Sequence, residues 1–308
     1  MKQKVYVFRD EGIEALKEIR QKTKTTNQKY DLKYSALWNK YVKDLAKLIE
    51  SSFEGNAVKV LIHPLAELEE AKRKLAGNNL ILSLDSYFSV NNKTEFSLGV
   101  SRIFKPSGKE KIGIGNRPGY KPLVDQLKKI SSEHKGKQFV LIEDDIFSGG
   151  TLNEIIKLAE QYGIKIVKII AGLQVAEKLQ TTVPVFAVHK YSPYDILELN
   201  DPRDFLCGTY EGGLVIEYPN GERVRAPYIL PFVDVTQRAS IPEAKNNEFS
   251  KKLIQINKDL YHNLEKELGI ELKIKHLSPS FQNFLKLEAG ITSEDKIQQA
   301  FDLYERKY

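Results

Sequence analysis

The run from Glu143 to Thr151 carries the groups in this chain that are best suited to chemistry. It reads Glu-Asp-Asp-Ile-Phe-Ser-Gly-Gly-Thr and directly follows four apolar residues at 139–142. Neighbouring carboxylates at the carboxyl end of a parallel strand can accept hydrogen bonds from ribose hydroxyls. Glycines let backbone N–H groups approach a phosphate, and the start of a helix adds the positive end of its dipole. The run therefore predicts a site for a phosphorylated sugar.

The same run of residues is open to simpler and rival interpretations. An acidic pair before two glycines can be no more than a capped helix start, because Asp and Ser cap helices well. An apolar strand, three acids and a Ser-Gly-Gly-Thr turn together favour a phosphate site. A Walker-type P-loop needs a Lys that is absent here, and the glycine spacing does not fit a dinucleotide-binding fingerprint.

Strands that alternate with helices must position this run. Hydrophobic patterns predict strands at 58–62, 80–84, 138–142, 164–170 and 183–188, and helices at 65–75, 122–130 and 151–162. A hairpin is predicted from 96–104 and 111–115, joined by the turn Pro106-Ser107-Gly108. Such alternation predicts the α/β class, with a doubly wound, mostly parallel sheet.

The pattern changes on both sides of this region. A strand is predicted at 4–8, followed by helices, the second with an apolar face from Trp38 to Ile49. Short β-like runs at 214–218, 223–226 and 228–232 follow the core, and the tail has helical spacing. We therefore predict four parts: an N-terminal helical extension (1–55), a core (56–190), a β-rich cap (191–245) and a C-terminal helical region (246–308).

The segment 139–151 resembles the motif by which type I phosphoribosyltransferases bind 5-phosphoribosyl 1-pyrophosphate (PRPP). Ser148-Gly149-Gly150-Thr151 aligns with the phosphate turn, Glu143-Asp144 with the acid pair, and Asp145-Ile146-Phe147 with the three variable residues. The resemblance covers about residues 58–188 and is specific only at this motif. It implies a type I phosphoribosyltransferase fold, in which Glu143 and Asp144 contact the ribose hydroxyls, the residues from Asp145 to Thr151 bind the 5′-phosphate, and both acids support Mg²⁺ indirectly.

The resemblance also implies a pyrophosphate loop and a cationic loop. Leu84-Asp85-Ser86-Tyr87 follows a predicted strand and is the first candidate for the pyrophosphate loop, with His63-Pro64 as the alternative. The hairpin lies where the family has its flexible catalytic loop. The cations available to pyrophosphate are Arg102, Lys105, Lys109 and Arg117, with Arg117 first because Arg117-Pro118-Gly119 precedes a predicted helix.

The implied reaction transfers the phosphoribosyl group of PRPP to a nitrogen acceptor with loss of pyrophosphate. Several purine-using members have an acid at the third variable position, where this chain has Phe147. The sequence therefore does not identify the nitrogen acceptor. The alternative is a regulator that senses PRPP or a nucleotide without catalysis, or an effector subunit that recruits a protein or nucleic acid.

Composition narrows the class of protein. The 308 residues are 41% hydrophobic and 29% charged, as in an ordinary globular protein. The net charge of +6 comes mostly from Lys interleaved with Glu, so nucleic acid remains a less favoured partner; a homodimer is also left open.

The apolar stretches, the cysteines and the histidines of the sequence indicate where the protein is located and whether it holds a metal. No apolar stretch approaches the roughly 18 residues of a membrane span, and the first residues do not resemble a signal peptide. Cys207 is the single cysteine, which excludes an internal disulfide, and we expect a cytoplasmic location. The five histidines show no metal-ligand spacing, so no zinc site is expected.

Overall fold

Strands and helices alternate through the middle of the chain. The computed structural model describes residues 3–10, 13–23, 31–85, 94–106, 108–175, 177 and 179–306. Its strands form three sheets, and most neighbouring strands are parallel. The predicted α/β class with a mostly parallel sheet is therefore confirmed.

The central sheet has five parallel strands in the order β4-β3-β7-β8-β9. These strands are β3 (Leu80–Ser83), β4 (Glu95–Ser97), β7 (Gln138–Ile146), β8 (Lys165–Gln174) and β9 (Val185–Lys190). Successive side chains of a strand point to opposite faces. Phe139 and Leu141 accordingly pack with α4 (Leu123–Glu133) and α5 (Gly150–Gln161). Val140 and Ile142 pack on the other face with α3 (Leu65–Leu75), so helices cover both faces.

A second sheet places the N-terminal strand between two others. Its order is β10-β1-β2, and both pairings are parallel. The strands are β1 (Lys4–Asp10), β2 (Val58–Pro64) and β10 (Ile196–Asn200). The strands predicted at 4–8 and 58–62 are thus confirmed. The helices α1 (Ile13–Thr23) and α2 (Asp31–Ser51) lie between β1 and β2 in the chain, and the predicted apolar face of α2 is buried.

A third, mixed sheet has the order β12-β11-β5-β6. Its strands are β5 (Val100–Phe104), β6 (Lys111–Asn116), β11 (Leu214–Glu217) and β12 (Arg223–Ala226). The predicted hairpin of β5 and β6 is confirmed, but the single strand predicted at 96–104 is wrong. Residues 95–97 pair with β3 instead, and residues 98 and 99 belong to neither strand; the ring of Tyr120 would lie 2.0 Å from a Cβ added at Gly99.

The run at 228–232 was also predicted to be β-like, and this is wrong. Ile229 bonds to the carbonyl of Pro227, and Phe232 and Val233 both bond back to the carbonyl of Ile229, so the segment closes into turns. A short helix, α6 (Val235–Arg238), follows it.

The tail forms the helices α7 (Asn246–Leu268), α8 (Pro279–Ala289) and α9 (Ile297–Glu305). Their buried faces join those of α1 and α2 and of the third sheet in one apolar cluster that contains Trp38, Phe249 and Tyr261. The four-part division of the chain stays a prediction; strands from three of those parts share the second sheet. Among the described residues, no helix combines the length and apolar character needed to cross a membrane.

Candidate functional site

The acidic residues lie on the last part of β7, and a tight turn joins this strand to α5. The strand was predicted to end at residue 142 but continues to Ile146, because Asp145 and Ile146 still pair with β8. Gly149 precedes α5 with φ +76°, a left-handed conformation that favours glycine. The N–H of Gly150 points to the hydroxyl of Ser148 at 3.5 Å. The turn therefore presents backbone donors, a hydroxyl and a helix start together.

A cavity of about 300 Å³ lies over this turn. The whole segment from Asp145 to Leu152 lines it, and Arg102 and Arg117 of the third sheet and the loop after it also line it. Further walls come from the second sheet and the segment after β12. These walls include Glu198, Asn200, Tyr228 and Arg238. The structure thus brings the predicted phosphate turn and two of the four predicted cations to one cavity.

Strand alternation separates the three acids. Glu143 and Asp145 line the large cavity, whereas Asp144 lines two others, of about 140 Å³ and about 20 Å³. Neighbouring residues of a strand point to opposite faces, which turns Glu143 and Asp144 toward different cavities although their carboxyl groups still share a hydrogen bond. The predicted pair Glu143-Asp144 is therefore divided, and Glu143 shares the cavity with Asp145.

Arg9, near the end of β1, is paired with the acids of β7. Its guanidinium forms an ion pair with Asp144, and its Nε lies 3.1 Å from Oδ2 of Asp145. Arg9 lines all three cavities. Sequence reasoning missed this residue, because its position beside β7 depends on the packing of two sheets.

The pKa values of the three acids diverge. Burial raises the pKa of Glu143 well above its usual range, and the neighbouring charge of Asp144 adds to this. Burial alone would also raise the pKa of Asp144, but Arg9 and the hydrogen bonds from Glu143 and the Asp145 N–H lower it to about 2. Burial raises the pKa of Asp145 to about 7, against the opposing charge of Arg9. One firmly ionised carboxylate thus lies beside one that titrates near neutral pH.

Arg102 and Arg117, the two predicted cations that line the cavity, differ in the partners that they contact. Arg117 donates from Nε to the carbonyl of Val100 at 2.7 Å, and from its two terminal nitrogens to Glu211 at 2.7 Å and the carbonyl of Leu84 at 2.8 Å. Arg102 is exposed and has no ion-pair or hydrogen-bond partner within the described part of the chain, although its charge acts on the nearby Asp145 and Glu198. Arg102 is therefore the cation of this pair whose donors are available to a ligand.

The other predicted cations lie elsewhere. Lys105 pairs with Glu110 across the hairpin at 2.8 Å, and Lys109 lies 3.8 Å from Asp234. Neither lysine lines the cavities that contain the acids. The structure does not bring them to the predicted phosphate turn.

The first candidate for a pyrophosphate loop is described only in part. Asp85 is buried, lines the cavity of about 140 Å³ and lies 3.3 Å from Arg203, which also pairs with Asp201. Ser86 and Tyr87 lie outside the described residues. The alternative, His63-Pro64, forms the end of β2 and lines the cavity of about 20 Å³.

Two further charged residues of the large cavity were not predicted. Arg238 places its guanidinium carbon 4.0 Å from the ring centroid of Phe104 and donates to the carbonyl of Gly108 at 2.7 Å. Glu198 accepts a hydrogen bond from Ser240 at 2.7 Å, and burial raises its pKa. Both belong to segments predicted only as parts of the β-rich cap. No sequence pattern marks them as site residues.

Comparisons with known proteins give low similarity. No protein-family model matches the chain, and no curated protein matches it. Among solved structures, a hypothetical protein from Neisseria gonorrhoeae with bound ppGpp has a TM-score of 0.30 at 10% identity, over 52% of this chain and 84% of that one.

Two phosphoribosyltransferase structures are similar at the same level. An adenine phosphoribosyltransferase from Rhodothermus marinus has a TM-score of 0.27 at 14% identity, over 41% of this chain and 78% of that one. A hypoxanthine phosphoribosyltransferase from Staphylococcus aureus has 0.26 at 13% identity, over 49% and 74%. TM-scores this low carry no argument about the site.

Proposed function

We propose that the protein binds PRPP, or a related ribose 5-phosphate, and transfers its phosphoribosyl group to a nitrogen acceptor with loss of pyrophosphate. One observation carries the proposal. The segment that resembles the PRPP motif lines a cavity of about 300 Å³ together with Arg102. This volume is near the lower end of small-molecule sites.

The turn supplies what a 5′-phosphate requires. Backbone N–H groups at the start of α5, a positive helix end and the hydroxyls of Ser148 and Thr151 are all anion-binding groups. Gly149 and Gly150 carry no side chain that would obstruct an approaching phosphate.

The acids supply what the ribose requires. Glu143 and Asp145 face the same cavity as the turn, so their carboxyl oxygens can accept hydrogen bonds from ribose hydroxyls. Asp144 forms an ion pair with Arg9 and places a fixed negative charge next to Glu143 and Asp145. This oxygen-rich donor set fits Mg²⁺, which Glu143 and Asp144 would support indirectly, and the ion would neutralise pyrophosphate oxygens.

In the proposed reaction, the bond between C1 of the ribose and the pyrophosphate oxygen breaks as a bond from C1 to the acceptor nitrogen forms. Asp145, with a pKa of about 7, is suited to accept the proton that the nitrogen loses. Arg102 would stabilise the negative charge that develops on the departing pyrophosphate.

The hydrogen bonds of Arg117 favour a second function, that of a sensor. Arg117 is the first of the cations predicted to neutralise pyrophosphate. Its three nitrogens, however, already donate hydrogen bonds to the carbonyls of Val100 and Leu84 and to the carboxylate of Glu211. A protein that binds PRPP or a nucleotide as a sensor needs fewer free cations than one that expels pyrophosphate. Such a regulator would bind PRPP at the same turn without turnover.

Calorimetric titration of PRPP with Mg²⁺ tests binding. We expect the wild type to bind, the Glu143→Ala/Asp144→Ala variant to lose binding, and Arg102→Gln to bind about tenfold more weakly. Arg73→Gln is the matched control, because Arg73 is an exposed arginine of α3 that lines none of these cavities. A wild type that does not bind PRPP would refute the proposal.

Pyrophosphate release then separates the two functions. Wild-type protein is incubated with PRPP, Mg²⁺ and a panel of nucleobases and other nitrogen acceptors. Release that depends on one acceptor supports the transferase, whereas binding without release for any acceptor supports the sensor.

A further inference from the structure

Three metal-binding side chains, distant in the sequence, meet beside the acids of β7. His63 lies at the end of β2, Glu67 in the first turn of α3, and His189 near the end of β9. One ligand atom of each lies within 4.8 Å of the others. Oε2 of Glu67 is 2.5 Å from Nε2 of His189 and 3.7 Å from Nδ1 of His63.

A further contact orients one of the histidines. The hydroxyl of Tyr191 lies 2.6 Å from Nε2 of His63, which leaves Nδ1 directed toward Glu67. A hydrogen bond to the second ring nitrogen is the usual way in which proteins orient a metal-binding histidine. The two imidazole rings pack with centroids 3.9 Å apart, and one nitrogen of each lies within 4.8 Å of a Glu67 oxygen and of the other.

We propose that His63, Glu67 and His189 bind a divalent transition-metal ion, with Zn²⁺ as the best fit to two imidazoles and one carboxylate. Zinc sites with two His and one Glu keep a fourth position open for water or another ligand. All three side chains are partly exposed, so an ion can enter from solvent. The cavity of about 20 Å³ beside them is large enough for one water molecule.

Binding of a zinc ion requires only a small movement of the three side chains. Zinc bonds to nitrogen and oxygen are about 2.0–2.2 Å long, so tetrahedral ligand atoms lie roughly 3.3 Å apart. The 2.5 Å between Glu67 and His189 must therefore open by about 1 Å, while the 3.7 Å to His63 closes slightly. The side chain of Glu67 is 43% exposed, which leaves it free to make this movement.

The position of the cluster gives the ion a structural role. β2 is an edge strand of the second sheet and β9 an edge strand of the central sheet, in the order of the described strands. Arg9 of β1 and Asp144 of β7 form an ion pair between the same two sheets and line the cavity beside the cluster. A bound ion would therefore hold the two sheets together next to the proposed phosphoribosyl site.

Zinc titration of the full chain tests the proposal. The purified protein is stripped with a chelator, dialysed and titrated with Zn²⁺ in competition with a chromophoric chelator. We expect one ion per chain, and affinity at least 100-fold weaker in His63→Gln and His189→Gln. His262→Gln is the matched control, because His262 is exposed on α7 and lies outside the cluster.

A wild type that binds Zn²⁺ no more tightly than these two variants would overturn the proposal. Because a histidine variant can misfold, Glu67→Gln is measured as well, with circular dichroism to verify its fold. Co²⁺ titration gives a second readout: we expect visible absorption bands of the bound ion in the wild type and in His262→Gln, and their loss in Glu67→Gln. Identical spectra in all proteins would contradict the site. Neither readout involves PRPP, so the two proposals can fail independently.

Discussion

Arg9 gives two consecutive carboxyl groups different roles. Asp144 and Asp145 both pair with its guanidinium, but only Asp144 is held ionised, with a pKa of about 2. Burial raises the pKa of Asp145 by more than the charge of Arg9 lowers it, so this group titrates near pH 7. Pairs of acids whose environments separate their pKa values often mark sites of acid–base chemistry. The chemistry proposed for Asp145 thus depends on a residue from another sheet.

This arrangement predicts opposite effects of two conservative substitutions. The folded chain retains a proton on Asp145 between about pH 4 and pH 7 that the unfolded chain has lost, so this group's contribution to stability is full below pH 4 and lost as the pH rises to 7. For Asp144 the contribution is full above pH 4 and lost as the pH falls toward 2. At pH 8, Asp145→Asn should therefore be more stable than the wild type by about 4 kcal/mol, and Asp144→Asn less stable by about 2 kcal/mol.

Urea unfolding of the three proteins at pH 5 and pH 8 provides the measurement. The advantage of Asp145→Asn should be much smaller at pH 5, where the wild-type group is already protonated in the folded state. Equal pH dependence of the wild type and Asp145→Asn would show that Asp145 does not titrate in this range.

At the level of single residues, the sequence revealed only what is contiguous. Glycines and hydroxyls of a phosphate turn are neighbours in the chain, so Ser148 to Thr151 could be identified directly. Arg9 reaches the site only because the end of β1 lies near the end of β7, where Arg9 pairs with Asp144 and Asp145. His63 and His189 meet only because β2 and β9 end at the same place, and the spacing of histidines in the sequence cannot show this.

Among the elements, the turn before α5 has a strict backbone requirement. Gly149 has φ +76°, and a Cβ added there would lie 2.5 Å from Cδ2 of Leu179. At Gly150, the nearest of the surrounding atoms to an added Cβ is Oγ of Ser148 at 3.7 Å, an ordinary contact. These adjacent glycines are therefore a matched pair for mutation.

We expect Gly149→Ala to lower the free energy of unfolding by about 1–2 kcal/mol, because a left-handed conformation is unfavourable for alanine and Leu179 must move. Gly150→Ala should be neutral or stabilising by up to about 1 kcal/mol, because alanine favours a helix more than glycine does. Thermal unfolding followed by circular dichroism measures both. Equal losses in the two variants would mean that the backbone conformation of Gly149 is not what the turn requires.

Periodicity in the sequence located most elements but not their partners. The helix predicted at 151–162 is α5, displaced by one residue, and the apolar strands of the central sheet are all present. The strand predicted at 96–104 was wrong because pairing with β3, a tertiary contact, separates residues 95–97 from β5. The order of strands in a sheet depends on such contacts, and local patterns do not contain them.

For the whole molecule, the largest apolar cluster joins the two ends of the chain. Trp38 and Leu45 of α2 belong to the same buried cluster as Phe249 and Leu253 of α7. Asn257 of α7 is also buried and donates to the carbonyl of Phe205, beside the segment that lines the cavities. The C-terminal helices therefore pack against the N-terminal helices and also support the wall of the candidate site.

This packing predicts the effect of removing residues 246–308. Each large apolar side chain that loses its burial costs about 1.5–3 kcal/mol, and the total for α7, α8 and α9 exceeds the 5–15 kcal/mol by which a typical domain is stable. The shortened chain should show no cooperative thermal transition and no binding of PRPP, measured by circular dichroism and calorimetry beside the full chain. A sharp transition with retained PRPP binding would instead show that residues 1–245 fold and keep the site without residues 246–308.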